Sequence, residues 1–179
     1  MCKLLSFACL ALSLAGIQGS TLQQLTLDEM IQKSTTIVHG QVQKTGSAFR
    51  GAMIYTHYRV QASEVLKGST VVPLDVAVPG GTANGTAQVF SGAPSFASGQ
   101  DYVLFLWTSR SGLTQVIGLS QGQLAVIANA SGQPTVVRAA ATERMVNAAG
   151  QAVPQSDIQM LLSDLRTHIQ SVLAKGGGL

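Results

Sequence analysis

The chain has 179 residues, of which 46% are hydrophobic and 11% charged, with a formal net charge of +3 and a mean hydropathy of +0.29. Its 11 Lys and Arg are scattered against 8 Asp and Glu, so the basic balance makes no basic face. Phosphate binding strengthens with each cation that meets a nucleic-acid backbone, and this distribution argues against a nucleic-acid partner. The length suits one domain, or one domain with a tail, able to bury roughly two thirds of the unfolded chain's surface.

Residues 1–20, MCKLLSFACLALSLAGIQGS, open with Lys3, continue in an apolar run over 4–14 and end in small residues. That layout predicts a secretory signal peptide, cut within 15–20. The run is shorter than the roughly 20 apolar residues a membrane helix needs, and every later run is interrupted, so no transmembrane segment is expected. Both cysteines, Cys2 and Cys9, lie in this leader. Cys9 sits inside the apolar run rather than after it, which argues against lipid anchoring. The mature chain is then cysteine-free, which favours a bacterial exported protein, periplasmic or secreted, over a disulfide-stapled animal domain. The sequons at Asn84 and Asn129 matter only in a eukaryotic secretory pathway.

TLDEMIQKS, 26–34, predicts a short helix with Thr26 and Glu29 as a capping box and Leu27, Met30 and Ile31 as its apolar stripe. TTIVHGQVQKTG then alternates, with Val38, Gly40 and Val42 on one face and Ile37, His39, Gln41 and Gln43 on the other. MIYTHYRVQASEVLKG predicts a long, bending strand over 53–66. Ile54, Thr56, Tyr58, Val60 and Ala62 share its buried face, and Tyr55, His57, Arg59, Gln61 and Ser63 its polar face. A third strand spans 71–78. Residues 80–99 are glycine-rich, with strand character only in TAQVF, 86–90, and with Phe90 and Phe96 expected in the core. DYVLFLWTS, 101–109, predicts a central strand buried on both faces. LTQVIGLS, QLAVIA and PTVVRA follow as a meander. Residues 139–154 read as a linker, and 155–175 as an amphipathic helix with Ile158, Leu161, Leu162, Leu165, Ile169 and Val172 on its stripe.

A helix, seven or eight uneven strands and a closing helix favour a mostly β fold: a closed or nearly closed antiparallel barrel over 21–138. Closure would remove the edge strands.

The run IVHGQV, IYTHYRVQASEVLKG, VAVPGG, FSGAPSFASGQDYVLFLW and GLSQGQ is similar, over roughly residues 25–128, to a family of uncharacterised exported bacterial proteins. Related segments precede matrixin-like metalloprotease domains in some proteins. A strand ending in Lys67-Gly68, followed by Gly99-x-x-Tyr102 and a hydrophobic strand, resembles the OB-like barrel of netrin modules and tissue inhibitors of metalloproteinases. The resemblance implies an OB-like barrel, closed or partly open. It does not carry over inhibition through an amino-terminal cysteine, because the mature chain has none. Protease activity is not implied either, since no His-Glu-x-x-His occurs.

His39 and His57 fall on the polar side of neighbouring strands, where two imidazoles and a carboxylate, Asp75 or Glu64, would make a metal site. No spacing singles out the third ligand, so a surface or core role is the expected one and no metal or cofactor is predicted. GLSQG, 118–122, matches the outline of a nucleophile elbow, but a strand rather than a helix follows it, which predicts a turn. VPGGTANG lacks the Lys and the helix of a phosphate loop. His168 on the last helix reads as solvated. Tyr55, His57 and Arg59 form a plausible binding stripe or, more plainly, a solvent face. The sequence therefore points to a non-enzymatic exported module. It would bind another exported protein or an envelope component through His39, Tyr55, His57, Arg59 and the loop holding Asn84. The alternatives are a metal-assisted hydrolase using His39 and His57, and an accessory or inhibitor-like module of a metalloprotease. Nothing in the chain speaks to oligomeric state.

Overall fold

The computed structural model describes residues 21–69, 73–138, 143–154 and 157–176. The expected leader and the expected opening of the terminal helix at 155–156 lie outside the described residues. After a short strand β1, Thr21–Gln23, Thr26 sets where the first helix starts. Its hydroxyl accepts from the Glu29 backbone N–H at 3.2 Å, and the Glu29 carboxylate accepts from the Thr26 N–H at 2.9 Å. This capping box opens α1, Leu27–Lys33, and buries Met30 and Ile31. The same Thr26 N–H and then the Lys33 ammonium hold the Glu29 carboxyl below its ordinary value of 4.5.

A long hairpin follows, β2 (Thr36–Arg50) and β3 (Met53–Lys67), turned at Gly51-Ala52. Then come β4 (Leu74–Pro79), β5 (Gly81–Ala83), β6 (Thr86–Gln88), β7 (Asp101–Thr108) and β8 (Thr114–Val116). The chain finishes with β9 (Gln123–Ala128), β10 (Pro134–Arg138), β11 (Arg144–Val146), β12 (Ile158–Leu161) and the helix α2 (Leu162–Gly176). The main sheet runs β12-β10-β9-β7-β2-β3-β4, antiparallel throughout, with β8 beside the far end of β7.

Side-chain alternation gives this sheet two apolar faces. On the outer face, Ile37, Val103, Phe105, Leu124 and Val136 pack under α1 and α2. On the inner face, Val38, Val42, Val60, Val76, Leu104, Leu106 and Val116 form a second core. The strand β7 is buried from Tyr102 to Leu106 because it serves both cores. Extra residues at Thr45 on β2 and at Ser63 and Leu66 on β3 break the register of the long hairpin. Such bulges bend strands and tighten their twist, which explains the curl of the sheet.

Of the closed or partly open barrel expected, the structure shows the large antiparallel sheet, and that sheet is not closed. The sheet curls until Cα atoms of β4 come within 8 Å of β8, but no ladder joins them, and β4 and β12 remain as edges. Past the end of β4, Pro79 offers no donor, and Gly80 (φ 100°) and Gly81 (φ 126°) turn the chain onto the inner face beside Thr56 and Ser47.

Four further departures are local. Residues 80–99 contain a hairpin, β5–β6, joined by Asn84 (φ 50°) and Gly85 (φ 75°), the left-handed pair that a two-residue turn requires. Phe96 docks edge-to-face on Tyr58 and Tyr102, whereas Phe90 stays 39% exposed. The terminal helix begins only at Leu162, because Ile158–Leu161 takes its hydrogen bonds from β10 as an edge strand. Within the expected linker, Arg144–Val146 pairs in parallel with β1.

Side-chain contacts then link the helices to the rest of the fold. Arg166 of α2 donates to both Glu64 oxygens at 2.6–3.1 Å, and His168, expected in solvent, meets Asp28 of α1 at 2.6 Å.

Candidate functional site

The polar alternation of β3 survives as a surface. Tyr55, His57 and Arg59 point to the outer face, while Ile54, Thr56 and Val60 are buried on the inner one. Register sets Gln41 opposite Gln61 and Gln43 opposite Arg59, so these four side chains share one patch of the outer face. All four are exposed. With Ser98 and Gly99 they border a hollow of about 180 Å3.

Electrostatics within the patch turn on Asp75. It lies directly across from Arg59 on β4, where a strand pair of opposite charge would be expected. Instead its Oδ2 lies 2.8 Å from His57 Nδ1. Among the described residues, Arg59 is left with no ion pair, and the amides of Gln41, Gln43 and Gln61 have no intrachain partner. The patch therefore carries one unpaired cation and three unengaged amides.

His39 does not belong to this patch. It lies opposite Glu64, seven residues along β3 from His57, which is roughly 20 Å at about 3.3 Å per residue. Its Nε2 is buried without a partner, and its Nδ1 reaches only Ser63 Oγ, at 3.5 Å. The two carboxylates weighed as third ligands are also separated, Asp75 with His57 and Glu64 with Arg166. Among the described residues, no group of three or more His, Cys, Asp and Glu is placed to hold a metal ion.

Asn84 also lies elsewhere. The β5–β6 hairpin crosses the inner face, where a Cβ on Gly81 would meet Thr56 Oγ1 at 2.2 Å and Ser47 Oγ at 2.8 Å. Thr56 alternates with Tyr55 and His57, so the sheet stands between this hairpin and the stripe. The hairpin and the 89–94 segment instead border an inner-face cleft of about 320 Å3, lined by Thr56, Tyr58, Pro79, Gln88 and Phe90 among others. Burial, and then nearby Tyr102, pushes the Tyr58 hydroxyl above its usual range. The sequence offers Asp75 only as a possible metal ligand, and it does not single out the three glutamines as a group or the cleft. The alternation did place Gln41, Gln43 and Gln61 on the polar side, but register, which brings them beside Arg59, is invisible in a single strand.

Two motifs resolve into scaffolding. In GLSQG, Leu119–Gly122 is a single 3-10 turn running into β9, so the serine has no helix behind it. The buried residue there is Gln121, which accepts from Leu25 N–H at 2.8 Å and donates to Gln23 O at 3.0 Å, clipping the N-terminal segment to the sheet. In the VLKG end of β3, Lys67 Nζ donates to Ile31 O at 2.6 Å and Gln32 O at 2.9 Å, the last carbonyls of α1. Partial burial lowers the Lys67 pKa from its ordinary value.

No family model, curated protein or solved structure matches the chain. No helix among the described residues is long and apolar enough to cross a membrane.

Proposed function

We propose that the protein is an exported, non-enzymatic binding module that engages an envelope component or another exported protein through the outer face of β2 and β3. The stripe consists of Tyr55, His57 and Arg59, extended by Gln41, Gln43 and Gln61. One observation carries this reading: the acid opposite Arg59 is engaged by His57, so an exposed guanidinium stands among three amides with no partner of its own among the described residues. An ordinary solvent face would gain from an Arg59–Asp75 pair at that ladder position. Here the pairing capacity is kept for something outside the chain. His39 and Asn84 are scaffold positions in this reading.

Site-specific photo-cross-linking in producing cells tests it. A benzophenone side chain at Gln61 should form an adduct that Arg59→Ala abolishes, while the same group at exposed Gln170 on α2 should form none. Equal labelling at both positions would remove the stripe from the account.

A further inference from the structure

We infer that the Arg59 hollow is a subsite for an acidic sugar unit, a carboxylate flanked by hydroxyls, within an extended glycan. This rests on the binding reading above and gives it a ligand class.

The charge comes first. The hollow is bordered by Gln41, Gln43, Arg59, Gln61 and Ser98, with one cation and no acid. Asp75 is held by His57 at 2.8 Å. Asp101 of β7 lies opposite Gln41 and so stands two strands away from Arg59. A guanidinium presents a planar fork of donors that fits a carboxylate with two parallel bonds, which an ammonium cannot do.

The amides come second. Opposite residues on a ladder have Cβ atoms about 5 Å apart, so the pairs Gln41–Gln61 and Gln43–Arg59 form a compact square of side chains. Each amide both donates and accepts. A hydroxyl does the same, so three free amides around one cation match a carboxylate with hydroxyl neighbours better than a bare anion.

Backbone geometry argues against a peptide here. At Arg59 and Val60, β3 is paired with β2 on one side and β4 on the other. Its backbone groups are committed to those ladders, so a peptide could not be read as an added strand at this patch. Recognition must come from side chains alone. Tyr55 lies on the same face, four residues or roughly 13 Å along the strand from Arg59, and its ring offers an apolar surface for a sugar further along an extended chain.

The test uses α-1,4-linked tetragalacturonate, its methyl ester and tetraglutamate, titrated calorimetrically into the purified protein. Tetragalacturonate should bind and the uncharged ester should bind at least about tenfold more weakly, the loss expected for one charge-assisted bidentate contact. Arg59→Gln should show the same loss for tetragalacturonate and none for the ester, with an unchanged melting temperature confirming that the variant folds. Equal affinity for tetraglutamate would overturn the sugar assignment in favour of a peptide carboxylate. Absence of tetragalacturonate binding, or binding indifferent to Arg59→Gln, would overturn it too. If the Gln61 cross-link still forms in either case, the binding reading stands and only the ligand class has failed; if that is also absent, both have.

Discussion

Gly40 lies in the middle of β2, and its substitution separates a generic rule from this particular packing. Glycine in a strand interior costs roughly 0.5–1 kcal/mol relative to alanine through backbone entropy, so Gly40→Ala should by rule stabilise the protein. The geometry says otherwise. Beside the bulge at Ser63, a Cβ on Gly40 would clash with the Gln61 carbonyl oxygen and lie 2.8 Å from Ala62 Cα. These are backbone atoms with no flexible end to swing away. Overpacking at a buried position costs about 1–3 kcal/mol, and a contact with a ladder carbonyl belongs at the upper end. Set against the entropic gain, the net expectation is a loss of about 2 kcal/mol, or roughly 4–8 °C in melting temperature for a domain of this size. Gly46→Ala is the internal control, since nothing lies within 4 Å of its Cβ position on the same strand. Urea unfolding of both variants should show Gly40→Ala destabilised and Gly46→Ala unchanged or slightly stabilised. A Gly40→Ala protein as stable as the parent would refute the close approach, and with it the register that places Gln61 beside Gln41.

Other substitutions probe the scaffold beneath the stripe. Lys67→Met removes both donors from the end of α1 and should cost about 1–2 kcal/mol in urea unfolding, while Lys67→Arg should recover much of the loss. Gln121→Leu leaves the Leu25 N–H and Gln23 carbonyl without partners and should cost about 2 kcal/mol, whereas Ser120→Ala beside it should be neutral and leave binding intact. Because the folded-state Glu29 carboxyl lies below its ordinary 4.5, it contributes stability above that pH and loses it as pH falls through the folded value. Stability curves should therefore lose part of their acid-side slope in Glu29→Gln, and parallel curves for the two proteins would contradict the capping-box electrostatics.

Local features of the fold could be read from the sequence where a few neighbouring residues decide the outcome. The Thr26 and Glu29 cap, the two faces of β3 and the burial of β7 all follow from capping chemistry or alternation within one segment. The Asn84-Gly85 hairpin was equally local, but its signal lay inside a glycine-rich stretch that reads as loop. Closure depends on whether β4 pairs with β8, two segments far apart in the chain whose meeting no pattern within either one records. Ile158–Leu161 satisfies helical and strand periodicity alike, and the free edge of β10 chooses between them. At the site, Tyr55, His57 and Arg59 were legible as a face. Their separation from His39 and Asn84, and the capture of Asp75 by His57, depend on register and on which neighbour a side chain selects.

Amide chemical-shift mapping of the isotopically labelled protein, titrated with polysaccharide and protein fractions of the cell envelope, tests the binding face most directly. The account predicts perturbations concentrated at Gln41, Gln43 and the Tyr55–Gln61 stretch, lost in Arg59→Gln. Perturbations confined to the helices or to the inner cleft around Tyr58 and Phe90, with the stripe silent, would contradict it.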